Sequence, residues 1–125
     1  MLNLTRYRIL AIGKSRKEWI RSALNLYMKR LPGLEIIELR DSTPKKESEV
    51  IFDLLRKNEV LIPLSEEGRT FTSLSFAKYF KDLESQRVAF VIGGTDGLAP
   101  EIKDSAHLLL SLSPMTFPHD VARLL

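Results

Sequence analysis

The residues Gly93-Gly94-Thr95-Asp96-Gly97 follow directly on Val88 to Ile92, the longest unbroken apolar run in the chain. Glycines at the end of a buried strand permit positive φ and close backbone approach to a bound group, and open α/β sheets bind ligands at that position. The chemistry on offer is backbone recognition of a small molecule, with a tight structural turn as the competing account. No Gly-Lys-Ser/Thr follows, and the G-G-x-x-G spacing lacks the dinucleotide fingerprint and its ribose-binding acid. His119, between Pro118 and Asp120, is a candidate general base because imidazole titrates near neutrality; the alternative is a helix start. Asp96 and Arg123 could meet a substrate, or serve as an exposed turn acid and a helix-surface base. His107, beside an apolar run, reads as a packing residue. Two histidines twelve apart, zero cysteines and no third-ligand pattern predict no metal site, thiol nucleophile or disulfide framework.

Charge is distributed unevenly. Up to Gly33 stand eight bases, among them Lys14, Arg16, Lys17 and Arg21, against the single acid Glu18; that third carries +7 and the remainder −4. A concentrated positive field suits a polyanion such as RNA, because phosphate neutralisation releases counterions. A solvated helix face is the other reading. At 125 residues, 44% hydrophobic and 28% charged, the chain is expected to form one domain over 1–125 around one core. No apolar stretch is long enough for a spanning helix, and no charged-then-apolar leader opens it, so a cytoplasmic protein is expected.

The elements that must position these groups alternate as β-α-β-α-β-α-β-α-β-α. Tyr7 to Ile12 reads as a strand closed by Gly13. Ser15 with Glu18 forms a capping-box pattern, and Ile20, Leu24, Tyr27, Met28 and Leu31 then share a helical face up to Pro32-Gly33. Leu34 to Leu39 is a second strand. Thr43-Pro44 caps a helix with Val50, Ile51, Leu54 and Leu55 on one side, ending near Asn58. Val60 to Leu64 is a third strand, followed by a polar link from Ser65 to Arg69, and Thr72 caps a helix presenting Leu74, Ala77, Phe80 and Leu83. The continuous apolar fourth strand, Val88 to Ile92, predicts a parallel sheet covered on both faces, hence the α/β class. A short helix near Pro100, a fifth strand over Leu108 to Leu112 and a helical stretch Val121 to Leu125 complete the chain.

The segment Phe90-Val91-Ile92-Gly93-Gly94-Thr95-Asp96-Gly97-Leu98, then Leu110-Ser111-Leu112-Ser113-Pro114-Met115-Thr116-Phe117-Pro118-His119 and Ala122-Arg123-Leu124-Leu125, resembles the RlmH family of the SPOUT superfamily. The basic helix carrying Trp19 and Tyr27 after Gly13 fits as well. The resemblance implies a trefoil-knotted α/β homodimer that transfers the methyl of S-adenosylmethionine to N3 of a pseudouridine in large-subunit ribosomal RNA. Carried over by motif, it implies a cofactor site at Leu64, at Gly93 and Gly94, and along Leu112, Ser113, Pro114, Met115, Thr116 and Phe117. Leu64, Leu112, Met115 and Phe117 would wall the adenine, and core packing is the plainer reading of Met115 and Phe117. His119 is the candidate base on the ring imide, no metal is required, and Lys14, Arg16, Lys17 and Arg21 are candidate RNA contacts. Family members continue beyond the position matching Leu125 through the rest of an amphipathic helix and into a short tail with a Pro-Tyr-His type motif, the segment that completes the knot. A catalytically silent RNA- or ribosome-binding paralogue is therefore the alternative to an active enzyme, and a nucleotide- or flavin-binding protein a third.

Overall fold

The computed structural model describes residues 4–83 and 86–125, so residues 1–3, 84 and 85 of the expected domain lie outside the description. A short 3-10 turn, Leu4–Arg6, leads into β1 (Tyr7–Ile12), α1 (Glu18–Arg30), β2 (Glu35–Leu39) and α2 (Pro44–Leu54). Then follow β3 (Glu59–Arg69), α3 (Ser73–Asp82), β4 (Arg87–Ile92), α4 (Pro100–Asp104) and α5 (His119–Leu124). Four strands form one sheet in the order β2-β1-β4-β3, and every pairing is parallel. The α/β class expected from the alternating pattern is the class observed.

Alternation along the strands divides the apolar residues between the two faces. Leu10, Ile12, Leu61, Ala89 and Val91 pack with Ile51 of α2 and Ile102 of α4. Tyr7, Val88, Ile62 and Phe90 pack on the other face with Phe80 and Tyr79 of α3. The Phe80 ring lies 5.5 Å from Phe90 and 6.1 Å from Tyr7, centroid to centroid. Aromatic packing sets the rotation of α3 and corrects its expected face: Phe80 and Leu83 pack as expected and Tyr79 joins them, whereas Leu74 is 85% exposed and Ala77 exposed. The cap was read correctly, since the Thr72 hydroxyl accepts from the Ser75 amide and Ser75 returns a bond to Thr72. Thr43 caps α2 as expected, but that helix stops at Leu54 and leaves Val50 exposed.

The Ser15–Glu18 capping box does not form. Lys17 is the N-cap without a side-chain cap bond, because the Ser15 amide donates instead to Glu38 Oε2 (3.1 Å), which holds Ser15 in the loop before the helix. On α1, Ile20 is buried and Leu24 and Met28 half-buried, while Tyr27 and Leu31 of the expected stripe are exposed. A further correction concerns β3. The polar link expected after Leu64 continues as strand to Arg69, and the fifth strand expected over Leu108 to Leu112 is reduced to isolated bridges of Leu110 with Leu64 and Arg69. The Arg69 amide donates to Leu109 O (2.8 Å) and the Ser111 amide to Arg69 O (2.9 Å), so a short segment is clasped at two points without a full ladder. Gly68 makes this possible: a Cβ there would stand 2.4 Å from the Leu109 carbonyl oxygen, a contact no side chain tolerates. Pro63, lacking an N–H, sits in the edge strand β3, where one donor is dispensable.

Candidate active site

Parallel strands deliver their loops to one end of the sheet, and there the turn after β4, the outer half of β3 and the bend before α5 enclose a cleft of about 970 Å³. Leu64, Gly93, Gly94, Leu112, Ser113, Met115, Thr116, Phe117 and His119, all singled out from the sequence, line it. Pro114, within the same bend, does not. The cleft also takes in Glu66, Asp96, Lys103, Asp120 and Lys17.

The glycine turn is tight in itself. The Gly97 amide donates to Gly94 O (3.0 Å), and of the three glycines only Gly97 has positive φ, at 75°. A Cβ on Gly93 would lie 3.0 Å from both the Gly97 carbonyl carbon and Leu98 Cγ. Gly93 is thus demanded by the turn closing on itself, and it also lines the cleft. The opposite bend is held by serines. Buried Ser111 donates from Oγ to Ser113 O (2.8 Å), and Ser113 Oγ accepts from the Met115 amide (3.1 Å). Ser111 was missed by sequence reasoning, since nothing separates a bend-forming hydroxyl from a solvated one in a single chain. These bonds turn Leu112, Met115 and Phe117 outward at 42%, 74% and 38% exposure, so these three side chains line the cleft rather than fill a core.

His119 is half-buried at the first position of α5; among the described residues no hydrogen bond or ion pair engages its imidazole. Asp120 beside it approaches Lys17 Nζ at 3.9 Å. His107, expected to pack, is exposed; only its backbone is committed, its amide donating to Leu61 O (2.9 Å). Behind the glycine turn, burial pushes the Glu47 carboxyl above its ordinary range; a bond from the Ser42 amide opposes that, and Asp41 and Asp96 add to it.

The four candidate RNA contacts divide. Lys17 faces the cleft, whereas Lys14, Arg16 and Arg21 line a second groove of about 750 Å³ with Glu38 and Arg123. Arg123 is no helix-surface base: it is 4% exposed, donating from Nη1 to Glu38 Oε2 (2.6 Å) and from Nη2 to Gly13 O (3.0 Å). Its partner lies 85 residues away, beyond any local pattern. Among the described residues, no group of three or more His, Cys, Asp or Glu is arranged to hold a metal ion, and no helix is long and apolar enough to cross a membrane.

A parallel α/β sheet with a glycine turn and a serine-braced bend meeting at its carboxyl end is the architecture of a methyltransferase class: residues 5–125 match the family described as predicted SPOUT methyltransferase, and the chain belongs to that family. It is 57% identical over 124 residues to the ribosomal RNA large subunit methyltransferase H of Synechococcus sp. (strain CC9311), covering 99% of this chain and 86% of that protein. To the protein of the same description from Prochlorococcus marinus (strain MIT 9211) it is 59% identical over 125 residues, 100% of this chain and 86% of the relative.

Proposed function

We propose that this chain is an S-adenosylmethionine-dependent methyltransferase of large-subunit ribosomal RNA, with N3 of a pseudouridine as the methylated atom. It acts in this reading as one domain, in the cytoplasm, and as a homodimer. The observation that carries the proposal is the convergence of the glycine turn, the 112–117 bend and His119 on one cleft. Similarity to the two large-subunit methyltransferases supports the substrate class, and the exposed Trp19, Leu26 and Tyr27 of α1, with Leu31 at its C-cap, support a second copy as partner.

The lining residues fit the donor. Ligand pockets run from roughly 300 to 1,000 Å³ with apolar walls and a few polar groups, and Leu64, Leu112, Met115 and Phe117 offer such walls beside the backbone of Gly93 and Gly94. When bound, S-adenosylmethionine supplies a methyl already activated on a sulfonium. What remains for the protein is alignment and a proton. The walls hold the donor in one pose, which converts an encounter into an intramolecular event. The imidazole of His119 has no competing partner among the described residues and would accept the imide proton as the nitrogen takes the methyl and the carbon–sulfur bond breaks to leave a thioether. Lys17 at the rim, with Lys14, Arg16 and Arg21 in the adjacent groove, binds RNA phosphates, and that contact weakens with added salt.

Calorimetric titration with S-adenosylmethionine tests the reading. Heat at about one donor per chain is expected, together with its loss in Leu112→Glu, where an already exposed side chain gains a charge and the melting temperature stays put. Absence of heat in the parent protein overturns the cofactor assignment. Equal affinity in the variant removes the 112–117 bend from the site.

A further inference from the structure

Arg123 is the one charged side chain of α5 driven into the interior, its side chain 1% exposed, and nothing in the proposed reaction uses it. Its ion pair is a poor source of stability, because Arg123 is desolvated while Glu38, its side chain 41% exposed, attracts it only through partial screening by water. This pair is also incompletely satisfied, since Arg123 Nε has no partner among the described residues. Its use lies in what it ties together. One guanidinium bonds the carbonyl of Gly13, at the exit of β1, and Glu38 near the end of β2. The same Glu38 oxygen accepts from the Ser15 amide. Three segments distant in sequence are thereby gathered at one point.

The point matters because α5 opens at His119 without a side-chain hydrogen bond at its N-cap Pro118. His119 and Arg123 stand four apart, on the same face of that helix, so anchoring one fixes the direction of the other. The Lys17–Asp120 contact at 3.9 Å is a second, half-open tether between the same loop and helix.

We infer that Arg123 is a positioning residue for methyl transfer: clamped by Glu38 and Gly13 O, it fixes His119 at the cleft and holds the basic loop 14–17 in register with it. The inference rests on the reading of His119 as the base. The donor's walls, Gly93 to Leu98 and Leu112 to Phe117, lie outside the clamp. Loss of the clamp therefore lowers turnover and leaves donor binding standing.

The experiment compares Arg123→Lys, Glu38→Ala, Glu38→Gln and His119→Ala for donor affinity by calorimetry and for kcat and KM on ribosomal particles, with rates counted per donor-binding site. Arg123→Lys keeps the charge and loses the fork that reaches two acceptors. The expected result is a fall in kcat of about 100-fold, the order that a misplacement of about 1 Å produces, with donor affinity held within about threefold. Glu38→Ala is expected to follow in the same direction, and Glu38→Gln, which restores an acceptor, to recover part of the loss. Should Arg123→Lys fail to fold, the Glu38 pair carries the test alone. Parent-like kcat per site in Arg123→Lys and Glu38→Ala, with His119→Ala impaired, overturns the inference and spares the base. Parent-like kcat in His119→Ala overturns the base, and the inference falls with it.

Discussion

Two arginine–carboxylate pairs with a buried arginine brace this sheet from opposite ends, and they are built differently. At the amino end, Arg8 of β1 grips Glu59 of β3 with both arms of its fork, Nε to Oε2 and Nη2 to Oε1, each 2.6 Å, and also reaches Leu54 O at 2.6 Å. The Arg56 amide completes the carboxylate's shell at 3.0 Å, and both side chains are sealed, at 6% and 1% exposure. At the carboxyl end, Arg123 is equally sealed but meets a single oxygen of Glu38, whose side chain is 41% exposed. The closed pair joins strands to a helix end and touches no cleft. The open pair joins loops that border one. An ion pair satisfied on every side serves architecture, and one left partly open belongs where a ligand arrives.

Breaking the closed pair should have the largest effect. Arg8→Met leaves the Glu59 carboxylate buried and alone, and the expected loss is about 3–5 kcal/mol of unfolding free energy, read from urea midpoints, with methyl transfer per folded molecule unaltered. The pair also sets an acid limit. Burial alone would raise the Glu59 pKa, yet the hydrogen bonds from Arg8 and Arg56 and their charges hold it below the ordinary 4.5. A lowered carboxyl pKa contributes stability that is complete above the unfolded value and lost as pH falls through the folded one. The stability gap between the parent and Glu59→Gln should therefore narrow below about pH 4.5, and a gap independent of pH would mean that the pair contributes through packing alone.

Weakening the open pair sharpens the contrast. Because water already screens Glu38, Glu38→Gln is expected to cost only about 1–2 kcal/mol by the same denaturation, and a loss matching that of Arg8→Met would erase the distinction between the two ends. The smallest effect belongs to a buried acid that has no cationic partner among the described residues. Glu47 is 5% exposed and accepts a bond from the Ser42 amide at 2.7 Å; burial raises its pKa, and a side-chain hydrogen bond with Asp41 and the charges of Asp41 and Asp96 add to the rise. Between the ordinary and the raised value the folded state keeps a proton that the unfolded chain has released, so stability declines as pH rises through that window. Glu47→Gln should then melt slightly above the parent at pH 7 and level with it near pH 4.5, and a variant melting below the parent at both would assign the carboxylate a structural bond instead.

Much of this arrangement was legible in the chain. The β-branched runs located β1, β2 and β4 to within a residue, and the run from Val88 to Ile92 is apolar throughout because that strand is covered on both faces. Thr43 and Thr72 announced their helices through a bond that closes within three residues. The cleft was foreshadowed by two motifs lying some twenty residues apart. Ser15 misled because its cap pattern competed with a carboxylate from another strand. Leu108 to Leu112 misled because an apolar run says that a segment is covered and not whether it finds a ladder partner.

The sequence by itself determined the local and periodic features: which segments are strands, where helices begin, and that a glycine turn follows a strand buried on both sides. These depend on side-chain spacing and on bonds spanning three or four residues, so a single chain contains all the terms. Only the tertiary structure decided that Arg8 answers Glu59 across 51 residues, that Arg123 answers Glu38 across 85, and that Gly68 exists to let another backbone pass. A charge or a missing Cβ has no local signature, because its energy is set by whatever the fold brings opposite it.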